Sequence, residues 1–267
     1  MTAEKPGTGQ SAIDTRSPQS ARVWNYWLGG KDNYPVDQEV GEAFRAFFPG
    51  VVDLARDSRA FLGRTVRHLA EDLEIHQFLD IGTGLPTADN THQIAQRSVP
   101  SARVVYVDND PLVLTHARAL LVSTPEGATD YIDADLHDPG TILREAARTL
   151  DLGRPVGLTL MQVVGHVAAY REARWIVDRL MAALPSGSCL VLNDSVDTHA
   201  ANAEATRRYN ASGAAPYQLR APGEIAGFFD GLELLDPGVV PLAEWRPDAA
   251  TGTPGEVIAV GGVGRKR

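Results

Sequence analysis

Cysteine is almost absent from this chain: Cys189 is the only one among 267 residues. A single thiol excludes an intrachain disulfide and any metal or iron–sulfur site built from several thiolates. Long apolar runs are missing too; none approaches the roughly 18 residues of a membrane-spanning helix. The first residues lack the charged-then-apolar pattern of a secretory leader, so the expectation is a cytoplasmic protein with no membrane partner. Basic residues are outnumbered, 25 Lys and Arg against 34 Asp and Glu, for a formal net charge of −9. Such a surface repels a phosphate backbone, and no nucleic acid is expected as principal partner. What the chain does have is apolar content, 43% hydrophobic, which supports the core of one large domain.

Residues 1–20, rich in Gly, Pro, Ser and Thr, read as a flexible tail. Residues 21–76 read as a helical, aromatic segment. Trp24, Tyr26, Trp27 and Tyr34 flank Gly29-Gly30, and helices are expected over Gly41–Phe48 and Asp53–Leu73. In the second helix Leu54, Phe61, Leu62, Val66 and Leu69 return to one face. From Gln77 on, strand and helix alternate. Strands are expected at 77–81, 103–108, 129–132, 156–160 and 188–192, with helices at 89–96, 111–121, 140–150 and 170–184. That alternation predicts a parallel sheet with helices on both faces. Leu232–Leu235 and Glu256–Val260 then follow without a helix between them, as an antiparallel hairpin would. The fold class is therefore α/β: a Rossmann-like, seven-stranded, mostly parallel sheet closed by an antiparallel hairpin over residues 77–267.

The stretch "FLDIGTGLPT", Phe78 to Thr87, runs from strand into a glycine-rich turn. A dinucleotide turn aims backbone N–H groups at a pyrophosphate and uses glycines for close approach. Here Thr87 holds the third-glycine position and Pro86 has no N–H to give. The acids weigh more. Asp80 ends the first strand, Asp108 the second, and Asp135 follows the third. Singly, each has a structural use: Asp80 capping the turn, Asp108 capping the helix from Pro111, Asp135 solvating a loop. Repeated at three successive strand ends, they point into one crevice. Three carboxylates oppose a pyrophosphate and suit a ligand with a ribose, an adenine amine, an ammonium and a fixed positive charge. S-adenosyl-L-methionine has all four and no phosphate.

At this point the chain resembles the class I S-adenosylmethionine-dependent methyltransferases, and among them an uncharacterised bacterial S-adenosyl methyltransferase family. The resemblance rests on "ARVWNYWLGGKDNYPVDQE", "SRAFLGR", "QFLDIGTGLPT", "VVYVDNDP", "ADLHDP", "GLELLDPGVVPLAEWRP" and "GGVGRK". It implies that Asp80, Gly82, Thr83 and Gly84 hold the methionine end and that Asp108 takes the ribose hydroxyls, with Asn109 beside the adenine. It further implies that Asp135 accepts from the adenine amine, that Leu136 offers its backbone N–H, and that Met161 and Gln162 flank the transferable methyl. The chain departs from that pattern with Ser58 for an expected Asn and Gln38 for an expected Arg. "LNDSVD" also stands where a Ser-His pair is frequent, and "MQVVGHVAAY" ends without the expected acid. These departures spare the cofactor site and bear on the acceptor.

Methyl transfer from a sulfonium is an in-line displacement, so the protein's work is alignment, with a base needed only if the acceptor must lose a proton. His166, just past the fourth strand, is the candidate catalytic base; its other reading is a packed or helix-capping histidine. No metal is expected, because Met161-Gln162 stands where hard oxygen ligands would be wanted. The aromatic segment reads either as a lid over the cofactor or as a hydrophobic staple. Arg59 and Arg64 read by default as a solvated helix face; the other reading has Arg59 reaching the cofactor's carboxylate. Ala201–Ile225, with Arg207, Arg208, Tyr209 and Tyr217, is expected to shape an acceptor pocket for an aromatic or anionic small molecule. An acceptor-methylating enzyme is the leading reading. The alternatives are a non-catalytic module that binds the cofactor, an NAD-dependent oxidoreductase, and a macromolecule methyltransferase.

Overall fold

The structure, a computed structural model, describes residues 13–120, 122–248 and 257–267. The first twelve residues of the expected tail, the end of the expected 111–121 helix and the Glu256 start of the last expected strand lie outside them. Three helices come first: α1 (Ser20–Trp27), α2 (Pro35–Phe47) and α3 (Val51–Glu71). The sheet then runs β1 (Gln77–Ile81), β2 (Arg103–Asp108), β3 (Ala128–Asp133), β4 (Gly157–Met161) and β5 (Cys189–Ser195), all parallel. The helices between these strands are α4 (Thr91–Ser98), α5 (Pro111–Leu120), α6 (Pro139–Ala146) and α7 (Tyr170–Ala182). After β5 come α8 (Ala200–Asn210), α9 (Pro222–Gly227), β6 (Glu233–Leu234), β7 (Val240–Pro241) and β8 (Ala259–Arg265).

The strand order is β3-β2-β1-β4-β5-β8-β6, with β7 also paired to β8. β8 runs antiparallel to β5, β6 and β7. The chain steps outward from β1 to β2 and β3, then returns to the other side of β1 as β4. Where the order reverses, the loops after β1 and β4 diverge and leave a crevice at the carboxyl ends. Side chains alternate across the sheet. Leu79, Ile81, Val105, Leu158 and Leu190 pack with α6 and α7, while Phe78, Val104, Tyr106, Cys189 and Val191 pack with α3 and α4. Burial pushes the Cys189 thiol up to about 12, which leaves no thiolate for chemistry.

Three differences from the sequence reading have physical causes. β8 continues five residues past Val260, although its "GGVG" core is poor in strand formers. A side chain would not fit there: a Cβ on Gly261 would sit 2.8 Å from Asn193 Cβ, and one on Gly264 2.9 Å from Phe229. α2 begins at Pro35, not Gly41, because Pro occupies the first helical position and Asp37 accepts from the Tyr34 N–H at 2.9 Å. α1 forms in the part of the helical, aromatic segment for which no individual helix was expected, and it is anchored by Trp27, whose indole N–H donates to Gly41 O at 3.1 Å. No helix among the described residues is long and apolar enough to cross a membrane.

Candidate functional site

A cavity of about 310 Å³ lies at the crevice between the β1 and β4 loops. Ten of the expected site residues line it: Gly82, Thr83, Gly84, Asp108, Asn109, Asp135, Leu136, Met161, Gln162 and His166. Asp80 is not among them. Its two oxygens accept from Thr91 Oγ1 at 2.6 Å and Thr159 Oγ1 at 2.7 Å, behind the turn. Of the three acids expected to face one cavity, Asp108 and Asp135 do, joined by Asp110, whereas Asp80 clamps β1 to α4 and β4. Burial raises its pKa, and the two hydroxyls work the other way.

The turn spends its own donors. The N–H groups of Gly82 and Thr83 point to Val107 O, at 2.8 and 3.4 Å. The N–H of Gly84 donates to Asp108 Oδ2 at 2.9 Å. Gly82 and Gly84 sit at φ 72° and 63°, in the region that glycine tolerates. A Cβ on Gly82 would lie 2.3 Å from Val163 Cγ2, so the glycine also lets the β1 and β4 loops pass each other. None of these three N–H groups is free to cradle a phosphate, and a carboxylate stands beside them. Thr83 Oγ1, buried and unpartnered, is left on the cavity wall.

Asp108 carries the strongest perturbation at the rim. Burial pushes its carboxyl up to about 6, with neighbouring Asp110 adding to the rise and the N–H groups of Asp110, Gly84 and Asn109 opposing it. Asp135 is more open. Partial burial raises its pKa, but the His137 backbone N–H and ring and the Asn109 amide outweigh this and hold it below the usual value. Its Oδ1 lies 2.6 Å from His137 Nδ1. Arg59 is the single Lys or Arg lining the cavity among the described residues. Its Nη2 donates to Asp89 O at 2.9 Å. The cavity thus carries one guanidinium, that of Arg59, and three carboxylates, those of Asp108, Asp110 and Asp135.

The S-adenosyl methyltransferase family matches the chain over residues 6–267. The chain belongs to that family. A solved DUF574 family protein from Streptomyces avermitilis MA-4680 is 46% identical, with a TM-score of 0.92 over 96% of this chain and 100% of that one. A solved candidate methyltransferase from Thermobifida fusca YX is 39% identical, with a TM-score of 0.88 over 98% of each chain. At 14% identity, an O-methyltransferase family 2 protein from Planctomyces limnophilus DSM 3776, solved with apigenin, shares the fold alone. Its TM-score is 0.50 over 92% of this chain and 65% of that one. No curated protein sequence matches.

The family's cofactor is S-adenosyl-L-methionine, and the residues present fit it: carboxylates for hydroxyl and amine donors, an orphan threonine hydroxyl, an arginine for a carboxylate, and no cradle for phosphate. In the family frame, the residues around His166 were the least legible. His166 Nδ1 lies 2.9 Å from Pro216 O and Nε2 lies 3.1 Å from Ser20 Oγ. A carbonyl only accepts, so Nδ1 carries the proton and Nε2 is the acceptor. Burial lowers the pKa of His166, against the Pro216 contact, which favours this neutral form.

Sequence reasoning missed Arg22, Asp194 and Arg220. Asp194 is buried, receives the Tyr217 hydroxyl, and pairs with Arg220 at 3.2 Å. Only the "LNDS" acid hinted at this, since the partners lie far apart in the chain. Arg207 and Arg208, expected at an acceptor pocket, instead pair with Glu204 on the exposed side of α8.

Proposed function

We propose that the protein is a bacterial, cytoplasmic methyltransferase that moves the methyl group of S-adenosyl-L-methionine to a small-molecule acceptor. The observation that carries this is the glycine turn, whose N–H groups are spent on Val107 and Asp108, beside a carboxylate placed for ribose hydroxyls. That arrangement repels a pyrophosphate and welcomes an uncharged sugar with a cationic tail. When bound, the cofactor supplies a sulfonium methyl group. Asp108 holds the ribose; Asn109 and the Leu136 N–H border the adenine, with Asp135 accepting from its amine. Gly82, Thr83 and Gly84 cradle the methionine end, and Arg59 takes its carboxylate. Asp80 acts one step back, as a positioning residue for the turn. Met161 and Gln162 flank the methyl group; Met161 is held by the Asn193 amide, whose Nδ2 lies 3.2 Å from its sulfur. Residues 77–267 form the cofactor-binding part, and residues 21–76 cover it.

Calorimetric titration tests the reading. S-adenosylmethionine and S-adenosylhomocysteine should both bind in the micromolar range or tighter, with NAD giving no heat. Tight NAD binding without a response to either adenosyl ligand would overturn it. A companion experiment locates the amino-acid end. Arg59→Met should weaken S-adenosylhomocysteine by about fivefold, the worth of one hydrogen bond of ~1 kcal/mol. Methylthioadenosine, which lacks the carboxylate, should bind the variant as it binds the parent protein.

A further inference from the structure

We infer that a second, smaller cavity walled by α1, α2, α3, α8 and the loop after β4 receives the methyl acceptor, and that it takes a neutral single-ring aromatic compound bearing a hydroxyl group. This rests on the methyltransferase reading above and adds the acceptor's chemistry to it. The cavity, about 40 Å³, adjoins the cofactor cavity: Ser20, Trp24, Gln162 and His166 border both. A group held there lies against the residues that flank the methyl.

The walls decide the class. Trp24, Trp27, Phe44 and Tyr209 form a chain of edge-on and tilted rings, with centroids 5.6, 5.1 and 6.2 Å apart in that order. Tyr217 closes the floor, its ring centroid 5.2 Å from that of His166. No Asp, Glu, Lys or Arg is among the described residues that line it. An anionic or cationic acceptor would lose its hydration there and gain no counter-charge. The anionic acceptor expected from Arg207 and Arg208 is thereby disfavoured, and the aromatic one retained.

The polar groups that remain are matched to a hydroxyl. Gln162 and Asn202, both lining this cavity, are buried, 5% and 1% exposed, and the amide nitrogen of each has no partner among the described residues. Such groups are costly unless something fills them. His166 Nε2 is an acceptor already facing a hydroxyl, that of Ser20. Ser20 occupies the place a substrate O–H would take. A benzene ring needs roughly 150 Å³, so the ring spans both cavities, its far edge between the aromatic walls of the smaller one and its hydroxyl at the shared wall beside His166. In the reaction the acceptor O–H passes its proton to His166 Nε2. The oxygen bonds to the methyl carbon as the carbon–sulfur bond breaks, its electron pair staying on sulfur to give a neutral thioether. His166 would be the catalytic base; Gln162 and Asn202 would hold the ring's substituents.

The test titrates p-cresol, 4-hydroxybenzoate and cyclohexanol into protein saturated with S-adenosylhomocysteine. The p-cresol should bind, with the other two about tenfold weaker or worse. Thr206→Phe fills the second cavity from α8, at a position that does not line the first. It should abolish p-cresol binding and leave S-adenosylhomocysteine affinity within about twofold. Asn202→Leu, a milder change, should weaken p-cresol about tenfold and serves if the first variant does not fold. His166→Gln should keep p-cresol binding while slowing its methylation by about a hundredfold or more. Absence of p-cresol binding up to about 10 mM, tighter binding of 4-hydroxybenzoate, or unchanged binding in the folded cavity variants would overturn the inference. Failure of S-adenosylhomocysteine itself to bind would instead sink the methyltransferase reading.

Discussion

Arg22→Ala should destabilise the protein by about 3–5 kcal/mol, the range for breaking a buried ion pair from one side. Arg22 is 1% exposed and lies between two carboxylates, Asp37 at 3.7 Å and Asp110 at 3.6 Å. Its guanidinium also donates to Asp14 O at 2.9 Å and Ser17 O at 3.3 Å, and it lies over the Tyr34 ring. Alanine would leave the carboxylates buried without their cation and two carbonyls without donors. For a chain of this length the loss corresponds to a fall in melting temperature of roughly 10 °C. The loss should shrink in acid. Burial already raises the pKa of Asp110, and Arg22 is one of the groups that lowers it. Without Arg22 the folded-state pKa climbs further above the unfolded value. The penalty is then full above that pKa and recedes as the pH falls through it. A thermal melt at pH 7 and at pH 5 checks both magnitude and sign. Through Asp110, Arg22 also ties α1 and α2 to the loop that follows Asp108, so a measurable loss of cofactor affinity should accompany the loss of stability.

Asp108→Ala should cost about 1.5–3 kcal/mol of cofactor binding, tenfold or more, because a hydrogen bond to a charged acceptor is lost. The pH dependence tests the assignment separately. With its carboxyl pushed up to about 6 by burial, the free protein carries a mixed population near that pH. Ribose hydroxyls donate to the ionised form, so binding lowers the pKa. Affinity should be flat well above pH 6 and fall as the pH drops through it. Methylthioadenosine is the suitable ligand, since it lacks the amino-acid group. Asp108→Asn should bind more weakly and lose the pH dependence. Asp194, whose carboxyl burial also pushes up to about 6, pairs with Tyr217 and Arg220 away from the ribose end. A pH dependence that persists in Asp108→Asn would mean that another group governs it.

The alternation of strand and helix was legible because it follows from patterning along the chain, and so was the crevice where β1 and β4 part. Asp108, Asp135 and the Gly82–Gly84 turn were legible because strand ends place them without reference to distant residues. Asp80 shows the limit: its position at the end of β1 was readable, but the hydroxyls of Thr91 and Thr159 that claim it were not. The "GGVG" of β8 ran against local propensity, and only the packing of Asn193 and Phe229 explains it. The second cavity was hidden for the same reason. Ala201–Ile225 was expected to shape an acceptor pocket, but no spacing in the sequence announces that its Asn202 and Tyr217 meet Trp24, Phe44 and Gln162.

A crystal structure of the protein with S-adenosylhomocysteine tests the central claim most directly. The ribose hydroxyls should lie within hydrogen-bonding distance of Asp108, the adenine between Asn109 and Leu136, and the carboxylate toward Arg59, with the sulfur facing Met161 and Gln162. A ligand seated elsewhere, or one whose adenine and amino-acid ends are exchanged across the Gly82–Gly84 turn, would contradict it.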